Sequence, residues 1–227
     1  MTRTSFPEIA PVRRETVQSR IHQELRTMLM AGHFQPGQAL KINDLAAAFG
    51  TSAQPIRESI RQLVAERALD ATANRSARIP LLGPEQLDDL RRTRLALEGL
   101  AAELATERAT EEGISALSRI VDEELRADDK RDIGTSVAHN LNFHFTMYRM
   151  SGSEIIPPII EGLWLRVGPH VRTAAEIFDA REGRGAELHV RAIEAMRRGD
   201  GPGTRAAIET DINRFFDLIR DMAPTED

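Results

Sequence analysis

Leu45-Ala-Ala-Ala-Phe-Gly-Thr-Ser-Ala-Gln-Pro-Ile-Arg-Glu-Ser-Ile-Arg-Gln-Leu63 decides how this chain is read. Two stretches of helical periodicity meet at the tight turn Gly50-Thr51-Ser52. The first, Ile42 to Phe49, is a short helix with Leu45, Ala46 and Phe49 inward. The second, Ala53 to about Arg67, has Ser52 as its N-cap. Pro55 lies in its first turn, where a missing N–H removes no intrahelical bond. Ile56, Ile60, Leu63 and Val64 form its packing stripe, while Gln54, Arg57 and Arg61 share another face. A short helix, a glycine turn and a longer helix offering Gln and Arg from its N-terminal half make a helix-turn-helix, whose second helix enters the major groove of DNA. Arginine bonds bidentately to guanine and glutamine to adenine.

Upstream, Thr16 to about Met30 predicts a helix with Val17, Ile21, Leu25, Met28 and Leu29 on one face and Gly32 closing it. Downstream, Leu69 to Leu82 carries the chain's one β-like signal, two short segments around the turn-forming Asn74-Arg75-Ser76. Such a hairpin is a wing, with Arg75 and Arg78 directed to phosphate or minor groove. The alternative is a solvated basic face on an ordinary helix, and the order of three helices, turn and hairpin argues against it. Charge agrees: residues 1–80 hold 11 Lys and Arg against 7 Asp and Glu, so the overall −5 divides into +4 here and −9 beyond.

This motif resembles the winged helix-turn-helix of GntR-family bacterial transcription regulators, whose usual pattern is LAxxLGVSRTPVREALRxL. Pro55, Arg57, Glu58, Arg61 and Leu63 all match. The family usually has arginine where this chain has Ala53, and often where it has Asn43. The resemblance implies DNA contacts from Asn43, Ser52, Ala53, Gln54, Arg57, Arg61, Arg75 and Arg78, with Arg57 and the wing taking more of the readout and an operator unlike the family's commonest. Two heads reading two half-sites imply a homodimer on a pseudo-palindromic operator.

Beyond Leu82-Gly83-Pro84 the pattern is all-helical. Leu87, Leu90, Leu97, Ala101 and Leu104 make a seam whose missing member is Arg94. An unpaired buried guanidinium costs several kcal/mol, so Arg94 requires an anion, either an internal carboxylate such as Glu98 or a ligand. Further helices are expected over Glu111–Asp129, Ile133–Met150, Ser153–Ala180 with a kink at Pro157-Pro158, Arg184–Arg198 and Pro202–Met222. Three place metal-capable side chains among apolar ones: Asn140 and His144 with Val137, Leu141 and Tyr148; His189 with Ile193 and Met196; Asp211 with Ile208, Ile212, Phe215 and Ile219. Singly, each fits a hydrogen-bonded core residue. Together on facing helices they suit a divalent ion such as zinc, nickel or manganese. The absence of cysteine leaves His and carboxylates as the good ligands.

This module resembles the FCD domain, the effector-binding bundle of FadR-subfamily GntR regulators, through Arg94–Ala105, Asn140–His144 and Glu187–Ile193. Many members bind a divalent metal through Asp-xxx-His on one helix and a histidine on each of two later helices. Asn140 stands at that aspartate, His144 and His189 match two histidines, and Asp211 stands where the third is expected. The single carboxylate has thus moved to another helix. Effectors in the family are usually small carboxylates held near the metal and an arginine, which makes Arg94 the clamp, with Arg166 and Arg172 as lesser candidates.

The fold expected is mostly α. Residues 1–10 are a flexible tail, 11–82 a winged helix-turn-helix with a small β-hairpin wing, 83–223 an all-α antiparallel FCD-like bundle that binds effector and dimerises, and 224–227 a second tail. With no signal peptide and no apolar run long enough for a membrane span, the chain is expected to be a cytoplasmic, non-enzymatic regulator that binds operator DNA, a small carboxylate and itself, and no membrane. Two rivals remain open: a metal-dependent hydrolytic enzyme, and an interaction adaptor whose helix-turn-helix has lost DNA. Effector, operator, sign of regulation and metal are not encoded legibly.

Overall fold

The computed structural model describes residues 16–72, 76–181 and 186–220. The tails, Arg75 and the helix start expected at Arg184 lie outside these residues. Helix α1 (Val17–Met30) is capped by Thr16, whose Oγ1 accepts from Ser19 N at 3.1 Å. Strand β1 (Ala39–Leu40) leads into α2 (Ile42–Ala48) and α3 (Ala53–Ala65). The α2–α3 turn needs a left-handed residue, and Gly50 supplies it at φ +60°. Leu25 and Leu29 of α1 and Ile56 and Leu63 of α3 are fully buried together.

Strands β2 (Asp70–Ala71) and β3 (Ala77–Arg78) form the expected wing. The sheet has a third, unanticipated member, because β1 pairs antiparallel with β3 in the order β1-β3-β2. A two-residue strand has no periodicity to detect. Its pairing comes from the chain folding back at Gly37, whose N donates to Ile79 O at 3.0 Å.

The bundle comprises α4 (Pro84–Glu107), α5 (Glu111–Asp129), α6 (Ile133–Met150), α7 (Ile156–Arg181), α8 (Glu187–Arg197) and α9 (Gly201–Arg220). Helix α4 packs along α9, α5 along α6, and α8 against α5 and α9. The kink expected at Pro157-Pro158 is not there. Helix α7 begins at Ile156, after Ser153 Oγ accepts from Ile155 N and Ile156 N at 3.2 and 3.1 Å. Both prolines therefore fall in the first turn, where no N–H is missed. The proline inside the helix is Pro169.

Helix α7 touches both head and bundle. At Gly168 it lies so close to α1 that a Cβ would stand 2.6 Å from Met30 Cα and nearer still to the Leu29 carbonyl oxygen. Arg26 of α1 donates to Glu66 at the end of α3 at 2.5 Å and to Glu161 of α7 at 2.8 Å. Head and bundle thus meet across a glycine contact and a shared arginine.

Candidate functional site

A cavity of about 100 Å³ opens among the bundle helices. Three of the four expected donors, Asn140, His144 and Asp211, line it, and His189 lies behind them. His144 of α6 and His189 of α8 are fully buried, and Asp211 of α9 faces them. Nitrogens of both histidines and a carboxylate oxygen of Asp211 lie within 4.8 Å of one another. Asn140, one helical turn before His144, lines the same cavity.

Hydrogen bonds assign the histidine tautomers. Ionised Glu98 can only accept. It takes Arg94 Nε at 2.5 Å and Nη2 at 3.2 Å, Trp164 Nε1 at 3.2 Å and the Tyr148 hydroxyl at 2.5 Å. Burial first, and then the neighbouring Glu98, push the Tyr148 pKa well up, so the phenol keeps the proton it donates. Its oxygen, 2.9 Å from His144 Nδ1, therefore accepts Nδ1–H. His144 Nε2, the other ring nitrogen, lies 3.3 Å from Asp211 Oδ2. In the same way His189 Nδ1–H donates to Glu124 Oε2 at 2.8 Å, leaving Nε2 buried without a hydrogen bond, 4.0 Å from that oxygen.

Two imidazole nitrogens and a carboxylate oxygen facing one another suit a positive charge between them, a metal ion or a proton. A carboxylate behind one imidazole and a phenol behind the other match the outer support that metal-bound histidines use. Donors about 2.1 Å from one ion stand roughly 3 to 3.5 Å apart. The His144–Asp211 distance therefore fits as it is, and the His189–Asp211 distance needs about half an ångström. The residues present fit a divalent ion.

Without an ion, protons share the role. Burial alone raises the Asp211 carboxyl pKa, but hydrogen bonding to His144 and the charges of His189 and Arg214 outweigh it and hold the group below the usual carboxylate range. Burial alone lowers the His189 pKa, yet Glu124, with Asp211 assisting, brings it above its ordinary value.

Arg94 is 3% exposed, and its demand for an anion is met internally by Glu98. Burial pulls its pKa down and Glu98 more than restores it, so it stays charged. Glu98 uses Nε and Nη2, while the guanidinium still lines the cavity and sits 4.5 Å from the Trp164 ring. Arg166 and Arg172 are not brought there. Arg166 is half-buried away from the cavity lining, and Arg172 is exposed, donating to Glu176 at 3.1 Å. The second cavity arginine is Arg214, one turn beyond Asp211 and donating to its Oδ1 at 2.8 Å. Arg214, Glu124 and Asp128 escaped the sequence reading. The signal for the acids was present, since Leu117, Val121, Glu124 and Asp128 continue one stripe of α5.

In the head, Asn43, Ser52, Gln54, Arg61 and Arg78 are exposed, and Ala53 and Arg57 are half-buried. Ser52 is the N-cap residue of α3, but its side chain makes no capping bond. Gln54 Nε2 donates to Glu58 at 2.8 Å. Arg57 and Arg61 line a groove between α3 and the wing, and Arg57 Nε is shielded there with no partner among the described residues.

Residues 89–214 match the sequence family described as "FCD domain", and residues 17–79 match "Bacterial regulatory proteins, gntR family". The chain is similar to the HTH-type transcriptional regulator McbR of Escherichia coli (strain K12), at 28% identity over 201 residues, covering 88% of this chain and 91% of that one. It is also similar to the Nta operon transcriptional regulator of Aminobacter aminovorans, at 29% identity over 199 residues, covering 86% and 90%. Among solved structures, E. coli McbR/YncC superposes with a TM-score of 0.87 at 26% identity, covering 93% of this chain and 100% of that one.

Proposed function

The chain belongs to the GntR family of bacterial regulatory proteins that carry an FCD domain, and from that premise we propose that a small carboxylate, held in the bundle cavity beside a divalent metal, controls its affinity for operator DNA. It is a DNA-binding transcriptional regulator, as the relatives matched over most of its length are. The observation that carries the effector reading is the buried His189 Nε2, without a hydrogen-bond partner among the described residues, which faces His144 and Asp211 beside a cavity that Arg94, His144 and Asp211 line.

His144, His189 and Asp211 would hold the ion, with Asn140 as a fourth donor; zinc, nickel and manganese all suit such a set. The ion would supply positive charge to attract a carboxylate. Arg94 then orients that carboxylate, since Glu98 leaves Nη1 unused, and Arg214 adds a second positive charge. Asn43, Ser52, Ala53, Gln54, Arg57, Arg61, Arg75 and Arg78 form the DNA-facing set. The chain works as a homodimer in the cytoplasm, one head per half-site, with residues 11–82 as head and 83–223 as bundle.

Helix α7 connects the two functions. Its Trp164, Val171 and Ala174 face the cavity, and its Gly168 and Glu161 contact α1. A carboxylate shifts DNA affinity only by binding two head arrangements unequally. Among the described residues no helix is long and apolar enough to cross a membrane.

The experiment pairs two measurements. Elemental analysis of metal-equilibrated protein is expected to find about one ion per chain in wild type and little in His189→Ala. Fluorescence anisotropy on promoter DNA, titrated with short carboxylic acids, is expected to show affinity changing in wild type and not in Arg94→Ala. Equal metal in both proteins would overturn the ion site, and an unaltered acid response in Arg94→Ala would overturn the clamp.

A further inference from the structure

One cavity carboxylate is left over by every pairing described above. Glu98 is matched by Arg94, Asp211 by Arg214 and His144, and Glu124 by His189. Asp128, at the C-terminal end of α5, lines the same cavity. Its Oδ1 accepts from Ser136 Oγ at 2.6 Å, but its Oδ2 is shielded from solvent and meets no donor among the described residues. Folded proteins leave few buried acceptors unsatisfied, and an anionic oxygen is among the costliest to leave.

The position of this oxygen is as informative as its lack of a donor. Asp128 follows Glu124 by one turn of α5, about 6 Å along the axis. Ser136 precedes His144 by two turns of α6. Asp128 thus stands at the end of the cavity away from His144, His189 and Asp211. Val137, Val171, Phe215 and Leu218 line the space as well. The cavity is therefore polar at two ends, with an apolar wall suited to a short carbon chain. A volume near 100 Å³ is smaller than the ~150 Å³ cavity that admits benzene, so the enclosed space suits only a short carbon chain.

We propose that the effector is a short acid bearing a hydrogen-bond donor, a hydroxyl or an ammonium, on a carbon remote from its carboxylate, and that Asp128 Oδ2 accepts from that donor. This rests on the cavity being an acid-binding site, and it narrows the acid's chemical class. A plain aliphatic acid of the same length leaves Asp128 Oδ2 bare, and the site discriminates against it, since a group built to bond a donor rejects an analogue lacking one. A hydrogen bond to a charged acceptor corresponds to about ten- to a hundredfold in affinity.

Isothermal titration calorimetry on the zinc-equilibrated full chain tests this with matched trios of the same carbon number: butyrate, 4-hydroxybutyrate and 4-aminobutyrate, with their three- and five-carbon counterparts. The expected result is that, at one chain length or more, the hydroxyl or amino acid binds about tenfold or more tightly than its unsubstituted partner. In Asp128→Ala, which removes the acceptor, that ratio falls to about one. The readout is a ratio within one protein, so a general loss of affinity in the variant cancels. Plain acids binding as well as substituted ones overturns the proposal and leaves the acid-binding reading standing. A preference that survives in Asp128→Ala overturns the role of Asp128. No binding by any acid, plain or substituted, overturns both.

Discussion

Replacing Glu98 with glutamine keeps the volume of the most enclosed carboxylate in the bundle and removes only its charge. Glu98 is 0% exposed and accepts from Arg94 twice, from Tyr148 and from Trp164. The amide has one oxygen for these four contacts and turns an NH2 group toward donors. Arg94, 3% exposed, keeps its charge and loses its counter-ion. Cavity terms vanish for an isostere, so the cost is that of breaking a buried ion pair, about 3–5 kcal/mol. That is a large part of a total stability of about 5–15 kcal/mol. The double change Arg94→Met with Glu98→Leu removes both charges and leaves Tyr148 and Trp164 short of an acceptor at about 1–3 kcal/mol each, which the removal of a buried ion pair offsets by up to about 1–4 kcal/mol. Urea unfolding followed by far-UV circular dichroism should therefore rank wild type first, the double variant second and Glu98→Gln last. A Glu98→Gln loss under about 1 kcal/mol, or a double variant weaker than the single, would refute the view that the pair is retained because each charge needs the other.

Three further outcomes follow from the geometry. Gly168→Val drives side-chain atoms into the α1 backbone at Leu29 and Met30; overpacking of about 1–3 kcal/mol outweighs the gain of under 1 kcal/mol in helix propensity, so calorimetry should show a lowered melting temperature, and an unchanged one would contradict the close contact. Arg57→Ala should weaken binding to promoter DNA by about 1–3 kcal/mol, and measuring wild type and variant at several salt concentrations separates lost base contacts from a lost phosphate contact, which alone flattens the salt slope. In metal-free protein the raised His189 pKa contributes stability that is complete below the ordinary value of about 6.5 and is lost as pH rises through the folded value, whereas the lowered Asp211 pKa contributes stability present above the ordinary carboxylate range and lost on acidification. Zinc added near pH 7 should accordingly displace a proton from wild type and less from His189→Gln, measurable by calorimetry in buffers of different ionisation enthalpy; equal proton release would rule out His189 as the source.

Much of the head was legible because its determinants are local. Ser52, Pro55 and the glycine turn mark where α3 starts, and the alternation of Ile56, Ile60 and Leu63 with Arg57 and Arg61 assigns its faces. Strand β1 was not legible, since Ala39 and Leu40 acquire strand geometry only by meeting β3. The prolines of α7 illustrate a limit of the same origin. The sequence predicts a kink at Pro157 and Pro158 in a helix begun at Ser153, and the Ser153 hydroxyl, accepting from Ile156 N, instead starts the helix at Ile156 and puts both prolines in its first turn.

In the bundle, helical spacing by itself determined that Asn140 shares a face with His144, that Glu98 is within reach of Arg94, and that histidines and an acid interrupt apolar stripes on three helices. Spacing constrains neighbours within a helix and says nothing about the rotation and offset of one helix against another. Only the tertiary structure decided that His189 turns Nδ1 to Glu124 and Nε2 to Asp211, that Tyr148 sets the tautomer of His144, and that the second cavity arginine is Arg214 rather than Arg172. It alone left Asp128 Oδ2 without a donor among the described residues, because that depends on what α6 offers α5 across the cavity. Those contacts join residues far apart in the chain, and their register is set by the packing of all the helices together.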